Sequence, residues 1–148
     1  MSKVLAYYHI VFCTKGREKT IPLNLRTDLY RFIWNEINEM KCTLIRIGGI
    51  SNHLHLLIAL HPSVSLSDLV KNIKGRSSGW LNRDPRFPDF RGWARDYFAS
   101  TISPDVKPRV IEYINGQEEH HKVTNIDDEF RKLYSYAGLQ YDSRDMTY

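Results

Sequence analysis

The order of the hydrophobic patterns along the chain constrains the fold more than any other feature of the sequence. β-branched and aromatic residues dominate residues 6–14, which predicts a strand, and apolar residues recur at helical spacing over residues 23–40. Two further strands are predicted at residues 43–47 and 54–60. The Gly-Gly and Ser-Asn pairs between them, within residues 48–52, favour a bend or bulge there.

The second half of the chain continues the alternation of helices and strands. A helix is predicted from Ser65, followed by a loop broken by Pro and Gly at residues 82–96 and a strand at residues 97–102. A helix over about 103–121 comes next, and the tail holds one more at 127–136. This order predicts an α+β fold of the ferredoxin-like, split βαβ type, with a central antiparallel sheet and a C-terminal helix that carries a tyrosine.

Length and composition are those of one globular domain. A chain of 148 residues can bury a core, so residues 1–124 are predicted to form the domain and residues 125–148 its C-terminal helix and tail. No apolar run reaches the roughly 18 residues of a membrane helix. The N-terminus has no signal-peptide pattern, and the two cysteines form no metal-binding pattern. These features predict a reduced cytoplasmic protein.

Charge is distributed unevenly along the chain. The net charge is +4, but residues 1–109 carry 17 Lys and Arg against 9 Asp and Glu, whereas residues 110–148 carry 4 against 8. A basic body with a more acidic tail suits a polyanionic partner such as nucleic acid. A solvated basic surface has the same composition, so charge alone does not decide between the two interpretations.

Two histidines on a predicted strand form the first candidate site. His53 and His55 are two residues apart, so both side chains project from one face of the strand, while Leu54 and Leu56 project from the other, toward the core. Two imidazoles at this spacing can bind one metal ion. Histidine pairs without a metal are also common, so this motif alone indicates no chemistry.

A tyrosine and a glutamine on the predicted C-terminal helix form the second candidate site. Tyr113 and Gln117 are four residues apart and therefore share a helix face, which His120 and His121 extend. Gly116 is unfavourable inside a helix and suggests a close contact. An ordinary amphipathic tyrosine would fit the same pattern.

Taken together, the two motifs resemble the HUH single-tyrosine transposases of bacterial insertion sequences and their REP-associated relatives. Segments 8–17, 66–78 and 93–98 resemble the opening strand and basic turn, the second helix, and the strand before the tyrosine helix of that family, so the likeness covers about residues 6–121. It implies that residues 1–124 are an HUH nuclease domain. It also implies a bacterial or archaeal protein that acts on DNA at the nucleoid.

The resemblance implies a role for each site residue. His53, His55 and Gln117 would bind Mg²⁺ or Mn²⁺, and Tyr113 would attack a DNA phosphate to form a 5′-phosphotyrosine link that a 3′-hydroxyl later reseals. His120 and His121 are accessory candidates by helical position only. Many relatives have Asp before the first histidine, whereas this chain has Asn52, which we expect to alter how that histidine is oriented.

The resemblance also implies the partners. The substrate would be single-stranded DNA with hairpins at the element ends, and the protein would be a homodimer, whose subunits in several relatives share active sites. Phe87, Phe90 and Trp93 could stack on unpaired bases or belong to the core. The basic residues that could contact phosphates are Lys15, Arg17, Lys74, Arg76, Arg83, Arg86, Arg91 and Arg95.

Three other interpretations fit parts of the pattern. A non-catalytic regulator that binds hairpin DNA would keep the basic surface but would not need all of the site residues, Tyr113 included. A relaxase or rolling-circle initiator would share the histidine pair, but such proteins are usually longer and use histidine where this chain has Gln117. An unrelated metal-dependent hydrolase would release a free phosphate end and form no covalent link to DNA.

Overall fold

The protein contains a four-stranded antiparallel sheet in a computed structural model that describes residues 1–148. The strands are β1 (Tyr7–Cys13), β2 (Thr43–Ile50), β3 (His53–Ala59) and β4 (Phe98–Ile102), in the order β2-β3-β1-β4. Every neighbouring pair is antiparallel. The predicted α+β fold with a central antiparallel sheet is therefore confirmed.

Five helices accompany the sheet, and the predicted 103–121 helix is divided into parts. Ser65 caps its helix by accepting a hydrogen bond from the Asp68 backbone N–H at 3.0 Å, as the capping-box spacing predicts. The backbone is not helical at Gly116, so the long helix consists of a 3₁₀ turn, a longer segment and a single turn. The helices are α1 (Arg26–Glu39), α2 (Leu66–Arg83), α3 (Lys107–Asn115), α4 (Gln117–His120) and α5 (Ile126–Tyr136).

The two faces of the sheet bury different sets of side chains. On one face, Leu54 and Leu56 join the main hydrophobic core, in which helices α1 and α2 cover the sheet. On the other face, Val11 and Phe98 pack with Phe130 of α5 in a smaller cluster. Side chains alternate along strands, so the histidines of β1 and β3 face this second side, toward α3, α4 and α5.

The glycine pair predicted to form a bend lies within β2 instead. A Cβ at Gly48 would lie 2.6 Å from the carbonyl oxygen of Ile114, and a Cβ at Gly49 would lie 2.2 Å from that of His53. The turn between β2 and β3 comes later, at residues 51–52. The prediction was therefore right for the Ser-Asn pair and wrong for the glycines, which serve close packing against α3 and β3 and not a change of chain direction.

The aromatic residues of the 82–96 segment belong to the core. Phe87, Phe90 and Trp93 are 3%, 3% and 7% exposed. The indole N–H of Trp93 donates a hydrogen bond to the Ser77 hydroxyl at 2.9 Å. Stacking on unpaired bases is thus the wrong interpretation for these three residues, because their faces are already covered. No helix in the protein combines the length and the apolar character that crossing a bilayer requires.

Candidate active site

The two histidines of β3 lie side by side and are fully buried. The ring centroids of His53 and His55 are 5.1 Å apart, as expected for residues on one face of a strand. Each ring is oriented through its Nδ1 atom. His53 Nδ1 lies 2.9 Å from the Asn52 side-chain oxygen, and His55 Nδ1 lies 2.9 Å from Nε2 of His9 on β1. Both Nε2 atoms therefore point to the same space.

Asn52 uses both ends of its side-chain amide. Its oxygen contacts His53, and its NH₂ group donates to the backbone carbonyl of Arg17 at 3.1 Å. An ionised aspartate could orient the histidine but could not donate the second hydrogen bond. Asn52, which stands where many relatives have Asp, thus connects the start of β3 to the turn after β1.

The tyrosine and the glutamine from the C-terminal helices reach the histidines. The amide oxygen of Gln117 is 3.1 Å from His53 Nε2, and the ring centroid of Tyr113 is 5.2 Å from that of His55. Gly48 permits the close approach of α3 to the sheet. The structure therefore brings Tyr113, His53, His55 and Gln117 together within one chain.

Glu129 of α5 lies at the centre of the cluster, although nothing in the sequence motifs indicated it. Its carboxylate accepts hydrogen bonds from the Tyr113 hydroxyl and from the Gln117 amide, the latter at 2.8 Å. It lies 3.0 Å from Nε2 of His53 and 3.6 Å from Nε2 of His55. In the sequence Asp-Asp-Glu, this residue has the pattern of a solvated helix start, so no spacing signal could have distinguished it.

The two accessory histidines approach Glu129 from α4. His121 Nε2 is 2.9 Å from one carboxylate oxygen, whereas His120 Nε2 is 3.7 Å from the other and makes no hydrogen bond. The ring of His120 lies 5.7 Å from that of Tyr113. The group that accepts the tyrosine hydrogen bond is therefore Glu129, and the two histidines surround that carboxylate.

Burial and mutual contacts shift the protonation of the cluster. Burial alone would raise the pKa of Glu129, but hydrogen bonds from His121 and His53 hold it below its usual value. Burial and the nearby negative charge of Glu129 raise the pKa of Tyr113. Burial lowers the pKa of His53 to about 4, so its imidazole is neutral at physiological pH, as metal binding requires.

The donor atoms fit a divalent metal ion. His53, His55 and Glu129 each offer one ligand atom, and these atoms all lie within 4.8 Å of one another. Nε2 of His55 is buried without a hydrogen-bond partner, which is unusual for a polar atom in a protein interior and leaves a lone pair for a cation. Imidazole nitrogens with carboxylate and amide oxygens form a mixed donor set that suits Mn²⁺, and the oxygens suit Mg²⁺.

Most of the basic residues proposed for DNA binding are exposed, and only Arg17 and Lys74 are partly buried. Of the exposed ones, Arg86 pairs with Asp28 and Asp84, and Arg76 with Glu36. The Arg17 side chain is only 11% exposed and donates to the side chains of Asp127 and Tyr141, which attaches the C-terminal segment to the turn after β1. The ammonium group of Lys74 donates to the backbone carbonyls of Ala94 and Arg95. The exposed residues are Lys15, Arg76, Arg83, Arg86, Arg91 and Arg95.

Two solved structures share this fold. A REP-associated tyrosine transposase bound to a REP hairpin aligns with a TM-score of 0.64 and 12% identity, over 100% of this chain and 93% of the other. A protein of Deinococcus radiodurans R1 described as a transposase aligns with a TM-score of 0.59 and 21% identity, over 78% and 93% of the two chains. The fold is that of the tyrosine transposases.

Sequence comparisons identify the family. The family model described as "Transposase IS200 like" matches residues 2–117. The chain therefore belongs to the IS200-like transposase family, whose members process DNA. The transposases for insertion sequence element IS200 of Salmonella typhimurium and Salmonella typhi are both 25% identical over 123 residues, which are 78% of this chain and 79% of each relative.

Proposed function

We propose that this transposase cleaves and rejoins single-stranded DNA through a covalent link between Tyr113 and a 5′-phosphate. One observation carries the proposal: the hydroxyl of Tyr113 lies in the same buried cluster as the two strand histidines and the Glu129 carboxylate. A nucleophile that donates a hydrogen bond to a carboxylate, with candidate metal ligands around the same carboxylate, supports covalent phosphoryl transfer.

The covalent step exchanges one phosphodiester for another. The Tyr113 oxygen attacks phosphorus, the bond from phosphorus to the 3′-oxygen breaks, and the phosphate remains on the tyrosine as a diester. The tyrosine proton ends on the departing 3′-oxygen, which leaves as a hydroxyl, and Glu129, which already accepts the tyrosine hydrogen bond, relays it. A free 3′-hydroxyl can reverse the exchange at a new strand end, and because the number of diester bonds is unchanged, rejoining needs no ATP.

We propose that His53, His55 and Gln117 bind Mg²⁺ or Mn²⁺ and that Glu129 is a further ligand. A divalent metal bound there would polarise the non-bridging oxygens of the scissile phosphate. The protein's own contribution is to hold the ligands rigidly, since Asn52 and His9 orient the two imidazoles through their Nδ1 atoms.

We propose hairpin-bearing DNA at the element ends as the substrate. The structural likeness to a transposase bound to a REP hairpin supports that substrate class. The exposed basic residues listed above could contact its phosphates. The groups of the site contact each other within one chain. The homodimer implied by the family resemblance stays a prediction, which sedimentation analysis would test.

The test is the formation of a protein–DNA adduct. Single strands that carry the hairpins flanking the gene are incubated with the protein and Mn²⁺, and the products are separated on a denaturing gel. Tyr113→Phe should remove the adduct while retaining DNA binding, whereas Tyr30→Phe, on α1 at the other face of the sheet, should retain both. Cleavage without an adduct would support the hydrolase alternative. Binding with neither product would support the non-catalytic regulator.

A further inference from the structure

A groove between β4, α3 and α5 leads from the surface to the tyrosine. Its volume is about 730 Å³, which is in the range of small-ligand sites. Tyr113 and Glu129 line its inner end, so a ligand that fills the groove touches the proposed nucleophile. We call it the α3–α5 groove. The groove extends well beyond the buried metal ligands, and neither metal binding nor the attack by Tyr113 accounts for it. A ligand bound there would control access to the Tyr113 hydroxyl.

The walls of the α3–α5 groove are mainly apolar. The side wall formed by the sheet belongs to β4, which pairs only with β1 and therefore has backbone N–H and carbonyl groups free along its other edge. Tyr136 lies at the rim of the groove and is 92% exposed, so its ring is open to a ligand. The apolar lining includes Phe98, Ile102, Val106, Val110, Leu133 and Ala137, with Tyr136 at the rim.

Two cations line the groove without carboxylate partners. Arg109 of α3 and Lys132 of α5 are both exposed, and neither has an ion pair within 4.0 Å. The negative charge in the lining is Glu129, which the histidines and the tyrosine already surround. Apolar walls with unpaired cations at the rim complement a ligand with a flat apolar part and an anionic part.

We infer that the α3–α5 groove binds the nucleotide adjoining the scissile phosphate, the one that becomes linked to Tyr113. This inference rests on the function proposed above. The base lies among the apolar residues and against the Tyr136 ring, and the free backbone groups of β4 can hydrogen-bond its edge. The flanking phosphate contacts Arg109 and Lys132. A nucleotide bound in this way places its own 5′-phosphate toward the inner end of the groove, where the tyrosine hydroxyl lies.

The salt dependence of DNA binding tests the phosphate contacts. Binding of a fluorescent oligothymidylate is measured by anisotropy at several salt concentrations in the Tyr113→Phe background, so that no adduct forms. Because each neutralised phosphate of a single strand contributes about 0.7 to the slope of log affinity against log salt, Arg109→Ala with Lys132→Ala, which removes both contacts to one flanking phosphate, should reduce that slope by about 0.7. The control is Arg31→Ala with Lys71→Ala, which removes the same charge from exposed, unpaired residues of α1 and α2.

A filling substitution tests the base contacts without changing the charge. Ala137→Trp, in the lining, should weaken oligothymidylate binding roughly tenfold or more, the loss expected when one stacked base is expelled. Ser135→Trp, exposed on the same helix and outside the lining, should bind like the parent. Thermal unfolding followed by circular dichroism shows whether each variant is folded.

The outcomes separate this inference from the proposed function. Equal binding by the groove variants and their controls, or no binding of oligothymidylate at all, would overturn the nucleotide site even if wild-type protein forms the Tyr113 adduct. Weakened binding in both groove variants would support the site even if hairpin DNA never forms an adduct, and in that case only the catalytic proposal fails.

Discussion

Gly48→Ala should destabilise the protein by separating the tyrosine helix from the sheet. The new Cβ would lie 2.6 Å from the carbonyl oxygen of Ile114, whereas ordinary contacts begin at 3.4 Å. Helix α3 would have to retreat by about 0.8 Å, the difference between these distances. Overpacking of this kind costs about 1–3 kcal/mol of unfolding free energy. The obstacle is a backbone atom, so a change of rotamer cannot relieve it.

Urea unfolding measures this cost against a matched control. Given a denaturant dependence of about 1–3 kcal/mol per molar, the midpoint should fall by about 1 M. Gly75→Ala is the control, because a Cβ there meets nothing within 4 Å and lies inside α2, where Ala is favoured by up to about 1 kcal/mol. The Gly75 variant should therefore unfold at the same or a higher urea concentration.

The same displacement should affect chemistry. A misplacement approaching 1 Å can reduce a rate by about 100-fold, so adduct formation by Gly48→Ala should fall by up to that factor even in the fraction that is folded. If Gly48→Ala unfolds at the wild-type urea concentration and forms adduct at the wild-type rate, then α3 does not need its observed contact with β2, and the geometric basis of the site would be refuted.

Three further predictions follow from the contacts around the site. Glu129→Gln should weaken Mn²⁺ binding, measured by calorimetry, roughly tenfold or more, and unchanged or tighter binding would exclude it as a ligand. Burial lowers the pKa of His9 in the folded protein to about 3, whereas its pKa in the unfolded chain is about 6.5. At pH values between these two, only the unfolded chain binds a proton at His9. The metal-free protein should then lose stability as pH falls from about 6.5 toward 3, and His9→Gln should flatten the upper part of that profile; equal profiles would contradict this. Arg17→Ala should cost about 1–3 kcal/mol in urea unfolding because it removes the hydrogen bonds that the largely buried guanidinium donates to Asp127, to Tyr141 and to the Asp145 carbonyl, whereas Lys15→Ala, an exposed neighbour, should cost little. Equal midpoints would show that Arg17 does not hold the C-terminal segment.

The sequence by itself determined the order of the strands and helices and two halves of the site, but not the extent of β2 or the break at Gly116. Alternation along β3 put His53 and His55 on one face, and helical spacing put Tyr113 and Gln117 on one side of the C-terminal helices. Each of these pairs is separated by only a few positions in the sequence, so the local backbone geometry of a strand or a helix determines which side chains share a face. The antiparallel α+β fold followed from the order of the same patterns.

Only the tertiary structure decided what completes the site. Glu129 belongs to a helix whose sequence looks solvated, and it reaches the histidines because its neighbour Phe130 is buried against the second face of the sheet. Gly48 matters because it packs against the backbone carbonyl of Ile114, which is 66 positions later in the sequence. Contacts between distant segments depend on how whole elements pack together, and that packing is a property of the complete set of buried surfaces, which no local pattern contains.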